Sequence, residues 1–399
     1  MNLITDLYKE LNKNLSDINV STLENTINHF LWFHNNQIEI NHCKIDDVFN
    51  SSLNKKYYYI DFISFTHFGR VITRYKDNNY YSNTIRKLLK NKNFRLILMD
   101  VHETQEPSDI EAFFSLFDKE ESKKILFINN DSSLNNIKTN IKTLKTNFLV
   151  KNTTKGLSEI DFDLVWNKSK RDKLFLCLNK EGKAHRFYTL CLLEYYGLLD
   201  KTNYSFLTRP STWNEAFKKS EFQNFGKHER KIDNLLRIPK ISDYETKKDE
   251  FEDILGLFRN NYNFAGEVTY QDYRNTYINI ITESVYFHKG IHITEKSLKP
   301  FMLPQLPLFV ASPNHVETLR KDYKLDLFDD FINHDYDKET DDTKRLNMIA
   351  LECLRLSKLE NEIIDFYKNN IDRFKKNRET LIRFSKENEF NIIEDILSF

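Results

Sequence analysis

Short apolar runs alternate with amphipathic segments along the first 150 residues of the chain. The runs predict buried strands, and the segments between them repeat their apolar residues at helical spacing. Strands that alternate with helices of this length are typical of βαβ units and a parallel sheet. The predicted strands are 56–65, 94–101, 124–129 and 147–151, and the predicted helices are 82–92, 109–119 and 134–144.

A second series of the same kind begins after the polar stretch 166–173. Gly197 is expected to end its first helix, because glycine accepts the left-handed conformation that closes many helices. The predicted strands are 174–178, 204–207, 276–282 and 306–311, and the predicted helices are 184–196, 295–302 and long helices within 343–399. The segment 211–250 is polar and irregular, as an insertion would be, and residues 1–50 are expected to be mostly helical.

The pattern therefore predicts an α/β protein made of two domains and a helical tail. We expect a first domain over residues 1–168 and a second over 169–345. Residues 346–399 are expected to form helices that pack back on the domains.

Composition excludes several classes of site. Lys plus Arg and Asp plus Glu both number 59, so net charge gives no general reason to expect nucleic acid or an anionic membrane. Only 8 residues are glycine, and no Gly-rich phosphate loop motif occurs. The four cysteines form no C-x-x-C pair, which indicates neither a disulfide framework nor a zinc site. We expect no signal peptide and no apolar run long enough for a membrane span, hence a cytoplasmic protein without integral membrane contact.

The segment 179–186, which reads NKEGKAHR, is the first candidate site. It follows a predicted buried strand and opens a helix, where free backbone N–H groups and the helix dipole favour anions. The basic residues that crowd this strand end are Lys180, Lys183, His185 and Arg186. An anion between them would offset the unfavourable placement of cations at a helix N-terminus. The alternative is a solvated loop.

The second candidate is the segment 281–300. Glu283 lies just past a predicted strand, and Thr294, Glu295 and Lys296 open a helix with Lys299 one turn on. A carboxylate beside lysines suits a nucleotide sugar, because the acid binds hydroxyls and the ammonium binds a diphosphate. The alternative reading makes Thr294 a helix N-cap, which accounts for Thr294 but not for the other charges.

Together these segments resemble the C-terminal signature of α1,3-fucosyltransferase-like glycosyltransferases. They are closer still to a group of poorly characterised viral and bacterial glycosyltransferase-like proteins, and the resemblance covers about residues 170–350. That group shares N-K-x-x-x-x-H-R, T-E-K-x-x-K-P and D-x-S-Y-D segments, the last ahead of an Arg. The matches are 179–186, 294–300, and a departing N-H-D-Y-D at 333–337 with Arg345 beyond.

The resemblance implies a GT-B architecture, in which two Rossmann-like domains face a central cleft and the C-terminal one holds the nucleotide sugar. Carried over to this chain, Arg186 and Lys296 would contact the diphosphate. Glu283 and Glu295 would contact the ribose or the donor sugar. The remaining donor-binding residues that the match implies are Lys180, His185 and Thr294.

The first domain would then supply the acceptor site and the base. An inverting transfer needs a carboxylate or imidazole that takes the proton of the attacking hydroxyl. Glu103, at the end of the strand 94–101, is the first choice and His102 the second; the alternative is a loop that caps the next helix. Two D-x-D triplets, 161–163 and 335–337, could hold a hard cation, but such triplets are common in an acid-rich chain, and we expect no catalytic metal.

The resulting hypothesis is an inverting, metal-independent glycosyltransferase. It would move a sugar from a UDP- or GDP-linked donor to a hydroxyl of a glycan or of a modified DNA base, with no cofactor besides this substrate. For a viral chain the place of action would be the host cytoplasm. The main alternative is a non-catalytic nucleotide-binding or scaffold protein of GT-B-like fold; the oligomeric state stays open.

Overall fold

The computed structural model describes residues 2–3, 57–62, 79–92, 94–100, 107–129, 139–145, 148–166, 170–179, 183–206, 270–287, 290–387 and 399. The chain divides into two compact units. Unit 1 consists of residues 1–148 with 389–399, and unit 2 of residues 149–388. Each unit has its own sheet of parallel strands flanked by helices, which confirms the α/β class.

The described strands of unit 1 lie side by side in chain order and are all parallel. They are β1 (Asn2–Leu3), β2 (Tyr57–Phe62), β3 (Phe94–Asp100), β4 (Ile125–Asn129) and β5 (Lys142–Lys145). The helices between them are α1 (Asn79–Lys90), α2 (Pro107–Phe114) and α3 (Lys119–Ser122). The strands predicted at 56–65, 94–101 and 124–129 are confirmed, and every residue of β4 is buried.

Two predictions for the end of unit 1 are wrong. Where the predicted helix 134–144 overlaps Lys142–Lys145 the chain forms strand β5 instead, whereas its residues 134–138 lie outside the described part of the chain. From residue 148 on, the predicted strand 147–151 is the first turn of α4 (Phe148–Ser158). A short apolar run cannot by itself separate a strand from a buried helix. The wider pattern decides here: Val150, Thr154 and Leu157 recur at helical spacing and are buried, and the Thr154 hydroxyl donates to the Val150 carbonyl at 2.8 Å.

Unit 2 is built on a sheet of four described strands, all parallel, in the order β7-β6-β8-β9. The strands are β6 (Lys173–Asn179), β7 (Thr202–Phe206), β8 (Thr276–Thr282) and β9 (Leu306–Val310), as predicted. Strand order reverses between β6 and β8. In open parallel sheets, ligands bind at such a reversal, beyond the carboxyl ends of the strands.

Helices follow three of these strand ends. The short α5 (Phe162–Val165) precedes β6, and α7 (Tyr270–Arg274) precedes β8. Beyond the carboxyl ends lie α6 (Ala184–Tyr195) after β6, α8 (Glu295–Met302) after β8 and α9 (His315–Lys321) after β9. Gly197 ends α6 as predicted, with φ of +68° and a 2.7 Å hydrogen bond from Leu198 N to the Leu193 carbonyl.

The predicted tail helices are present and belong to the core of unit 2. They are α10 (Asp342–Leu356), α11 (Glu360–Asn369) and α12 (Ile371–Glu387). Trp166, after α5, stacks on Tyr367 of α11 with ring centres 4.0 Å apart, and both side chains are buried. Residues 149–166 and the helices α10 to α12 therefore belong with the second sheet, and the two compact units divide at residue 149 rather than at the predicted 169. None of the described helices is both long and apolar enough to cross a membrane.

Candidate functional site

The two candidate segments of unit 2 meet where β6 and β8 end. Thr282 is the last residue of β8, and Asn179 is the last residue of β6. The hydroxyl of Thr282 donates to the side-chain oxygen of Asn179 at 2.5 Å. His185 Nε2 lies 2.8 Å from the carbonyl oxygen of Glu283. These contacts bring the described residues of the two segments (179, 183–186, 281–287 and 290–300) together beyond the ends of β6 and β8, at the reversal in strand order. We call this region the crevice.

Glu283 is fully buried in this crevice, and its carboxylate accepts four hydrogen bonds. Its Oε1 accepts from the Ser297 hydroxyl at 2.6 Å and from the Thr294 backbone N–H at 3.3 Å. Its Oε2 accepts from the Thr294 hydroxyl at 2.7 Å and from the Ser284 N–H at 3.1 Å. A carboxylate has about four acceptor sites, so this one is saturated.

The charge on Glu283 is stabilised in place. Burial alone would raise the pKa of the carboxyl, but the Lys296 ammonium, His315 and the hydroxyls of Ser297 and Thr294 outweigh it and hold the pKa at about 2. The Lys296 Nζ lies 3.8 Å from Oε2. Glu283 is therefore ionised at neutral pH, and its hydrogen bonds fasten the first turn of α8 to the end of β8.

A buried imidazole extends this network to α9. The Ser297 hydroxyl lies 2.7 Å from His315 Nε2. Because the single hydroxyl proton of Ser297 goes to the carboxylate of Glu283, His315 Nε2 must carry its own proton and donate it to Ser297. Burial lowers the pKa of His315 to about 4, so the ring is neutral at pH 7, which agrees with this arrangement. The starts of α8 and α9 are thereby linked through Ser297.

The first turn of α8 presents charge to solvent above the buried carboxylate. Thr294 is the N-cap, as expected, with its hydroxyl accepting from the Lys296 N–H at 3.2 Å. The Lys296 Nζ lies 3.1 Å from the Ser284 hydroxyl and 3.5 Å from a carboxylate oxygen of Glu295. The side chains of Lys296 and Glu295 are 29% and 24% exposed, so both can reach a ligand.

The start of α6 faces α8 across the crevice. Lys183 holds the N-cap position, its side chain does not cap the helix, and its Nζ donates to the Ser284 carbonyl at 2.9 Å. His185 stacks on Tyr286 with ring centres 5.2 Å apart, and burial holds its pKa well below the usual range. Two ammonium groups, one from each helix start, thus converge on Ser284.

Arg186 lies deeper than the sequence alone suggested. Its side chain is only 4% exposed, and its Nη2 lies 3.4 Å from the carbonyl oxygens of Thr282 and Glu283. In this geometry the guanidinium supports the end of β8 and does not lie on the surface where a diphosphate would bind. Lys183, which the family resemblance does not assign to the donor, is half-buried and lies closer to the surface than Arg186.

Three predicted site residues lie outside the described part of the chain. Lys180, expected beside the donor, follows β6 directly, and His102 and Glu103, expected to supply the base, follow β3. Their roles stay predictions.

The two D-x-D triplets have structural roles. Asp161 accepts from the Asp163 N–H at 2.9 Å and caps α5. Asp337 accepts from the N–H groups of Val316 at 2.9 Å and Glu317 at 3.0 Å, at the start of α9. Within the described ranges, no three His, Cys, Asp or Glu side chains come together as a metal site would require.

Arg345, the arginine beyond the third matching segment, is a buried clamp. Its guanidinium donates to the carbonyls of Ala311 at 3.1 Å and Tyr286 at 2.9 Å, and pairs with Asp342 at 2.5 Å. It also lies over the Tyr286 ring, 4.3 Å from its centre. Arg345 therefore holds the loop after β8, on which His185 packs.

Ser284, Ser297 and His315 contribute to the site but were not expected from the sequence. A signal was present for two of them: Ser284 is the second residue past β8, and His315 opens the helix that follows β9. Ser297 stands three residues after the N-cap, where a hydroxyl can face back toward a buried acid.

Comparisons of the chain with protein-family models, with curated proteins and with solved structures found no match.

Proposed function

We propose that the protein is a glycosyltransferase that binds a nucleotide-diphosphate sugar in the crevice between β6 and β8. The observation that carries this proposal is the convergence of Lys183 and Lys296 on Ser284 from two facing helix starts. Two ammonium groups beside an uncapped helix start suit a diphosphate, because each ammonium can donate to a different phosphate group.

Charge in the crevice supports an anionic ligand. Positive charge comes from Lys183, Lys296 and Arg186, and also from Lys299, which interacts electrostatically with both carboxylates. The carboxylates are those of Glu283 and Glu295. Glu283 already accepts four hydrogen bonds, so the carboxylate left to bind hydroxyls is that of Glu295. In the proposed complex Lys183 and Lys296 contact the diphosphate, and Glu295 accepts hydrogen bonds from ribose or sugar hydroxyls. The buried guanidinium of Arg186 attracts the diphosphate electrostatically without contacting it.

The proposed reaction needs no metal, because the lysines neutralise the charge that develops on the departing nucleotide diphosphate. The acceptor hydroxyl attacks the anomeric carbon, and Glu103 or His102 of unit 1 takes its proton. A GT-B arrangement of the two units is part of this proposal and is supported by the two parallel sheets of the chain.

One observation favours the alternative of a nucleotide-binding protein without transferase activity. In the described part of the crevice, neither carboxylate suits a general base. Glu283 is saturated and its pKa is about 2, and Glu295 lies 3.5 Å from the Lys296 ammonium. Catalysis therefore depends on a base from elsewhere in the chain.

Nucleotide titrations test the binding step. The full chain is screened by thermal shift against UDP, GDP and CMP and their sugars, since a ligand of the native state raises its stability. Lys296→Ala and Lys183→Ala should each weaken the best nucleotide by about tenfold or more, the value of one charge-assisted hydrogen bond. The matched control is Lys170→Ala, which removes the same charge at the amino end of β6, where the side chain is 70% exposed. Unchanged affinity in both crevice variants would place the nucleotide elsewhere.

Turnover separates the transferase from the binding protein. Glu103→Gln should abolish release of nucleotide diphosphate from the sugar donor and leave nucleotide affinity within about twofold. If activity persists, the same measurement on His102→Gln tests the second candidate. A protein that binds nucleotide sugars but shows no transfer or hydrolysis with any donor would favour the non-catalytic alternative.

A further inference from the structure

His185 carries a buried acceptor that nothing in the described part of the chain uses. The ring is 2% exposed, and its Nε2 faces the carbonyl of Glu283 at 2.8 Å. Because a carbonyl oxygen only accepts, Nε2 must hold the proton, and Nδ1 is left as a bare acceptor. No described donor lies within hydrogen-bond distance of Nδ1. Buried polar atoms without a partner are rare and call for an explanation.

The His185 ring lies beside the groups that line the crevice. His185 is the second residue of α6, and side chains in the first turn of a helix lean toward its N-terminus. The ring bridges the start of α6 and the residue after β8. The Lys183 ammonium binds the very next carbonyl, that of Ser284. Nε2 of His185 and the Lys183 ammonium therefore contact adjacent carbonyls of the same loop, and Nδ1 belongs to the ring that makes the first of these contacts.

Packing holds the ring in this orientation. Tyr286 stacks on it at 5.2 Å with an interplanar angle of 11°, and Phe287 contacts it edge-on at 5.9 Å. Tyr286 is itself held by the Arg345 clamp. A ring fixed on these sides and at Nε2 cannot turn to find another partner for Nδ1, so a partner has to come to it.

We propose that Nδ1 of His185 accepts a hydrogen bond from a hydroxyl group of the bound ligand, so that the crevice selects phosphate compounds whose sugar carries a free hydroxyl close to the charge. This inference rests on the proposed function. The hydroxyl belongs to the ribose of the nucleotide or to the transferred sugar. A phosphate compound without such a hydroxyl would leave the buried acceptor unpaired and bind more weakly.

The test pairs a change in the protein with a change in the ligand. His185→Gln keeps an amide donor near the place of Nε2 and removes the Nδ1 acceptor, whereas His185→Asn keeps an acceptor near the place of Nδ1. Dissociation constants are measured by calorimetry for GDP, 2′,3′-dideoxy-GDP and GDP-mannose, and for UDP, 2′,3′-dideoxy-UDP and UDP-glucose. The dideoxy compounds report on the ribose hydroxyls, and the sugar compounds report on the transferred sugar.

In the wild type, removal of the recognised hydroxyl should weaken binding by about fivefold to tenfold, as expected for one hydrogen bond to a buried acceptor. In His185→Gln, removal of the same hydroxyl should weaken binding by less than about twofold. In His185→Asn, which keeps an acceptor, removal of the hydroxyl should weaken binding nearly as much as in the wild type. Equal losses in wild type and His185→Gln, in both the ribose and the sugar comparisons, would overturn the role of His185 and leave nucleotide binding intact. Failure of every probe to bind the wild type would overturn the proposed function and this inference with it.

Discussion

Replacing Glu283 by glutamine is the sharpest perturbation of the network beneath the crevice. The amide keeps the shape of the carboxyl but removes its charge and turns one acceptor oxygen into a donor. Each carboxylate oxygen of Glu283 receives two hydrogen bonds, so the NH2 group of the variant meets two donors. Two charge-assisted hydrogen bonds at roughly 1.5 kcal/mol each give a loss of about 3 kcal/mol.

The pKa of Glu283 gives the same magnitude by a separate route. The folded protein lowers it from an ordinary 4.5 to about 2, and each unit corresponds to about 1.4 kcal/mol, which again gives about 3 kcal/mol. A depressed carboxyl pKa stabilises the native state above the unfolded value, and this stabilisation is lost as the pH falls through the folded value. The difference between wild type and Glu283→Gln should therefore be full at pH 7 and shrink between pH 4.5 and 2.

Urea unfolding at pH 7, 5, 4 and 3 measures this difference. When Trp32 and Trp213 are replaced by phenylalanine, the fluorescence of Trp166, which stacks on Tyr367, reports on the unfolding of unit 2. The unfolding of the two units is then not fitted as a single transition. Glu362→Gln, an exposed site on α11, is the control and should change the free energy of unfolding by less than about 0.5 kcal/mol. A loss below about 1 kcal/mol at pH 7 in Glu283→Gln, or a loss that does not change down to pH 3, would refute the reasoning.

Three further predictions concern the same supports. Ser297→Ala removes the hydroxyl between Glu283 and His315 and should cost about 2 kcal/mol in urea unfolding; a neutral effect would contradict the hydrogen-bond chain. The His315 imidazole should titrate near pH 4 by NMR, and because its folded pKa is depressed, its contribution to stability should decline as pH falls from about 6.5 to 4; a titration above pH 6 would contradict its burial. Arg345→Lys should lower the melting temperature, because one ammonium cannot replace contacts to Ala311, Tyr286 and Asp342, and an unchanged value would argue against the clamp.

The sequence predicted elements whose local signals agree with one another. Strand β8 and helix α8 have the predicted bounds, because an apolar run ends at a polar loop and Thr294 caps the helix that follows. The start of α4 was misread because a three-residue apolar run fits a strand as well as a buried helix. Tertiary packing decides between a strand and a buried helix here, and the local periodicity of the sequence does not report on that packing.

The sequence predicted where the site lies better than it predicted the role of each side chain in it. Basic residues at helix starts pointed to the crevice, since strand ends of a parallel sheet share one edge. The sequence could not show that Arg186 is buried and Lys183 half-buried at the surface, because both lie in the same helix start and side-chain direction depends on the fold. The link from Glu283 through Ser297 to His315 joins residues up to 32 positions apart, and only tertiary structure brings them together.

A crystal structure of the full chain with GDP or UDP, whichever binds more tightly, tests the central claim most directly. We expect the two phosphates to lie in the crevice between β6 and β8, each within about 3 Å of Nζ of Lys183 or of Lys296. Nucleotide bound in the crystal with its phosphates away from both lysines would contradict it.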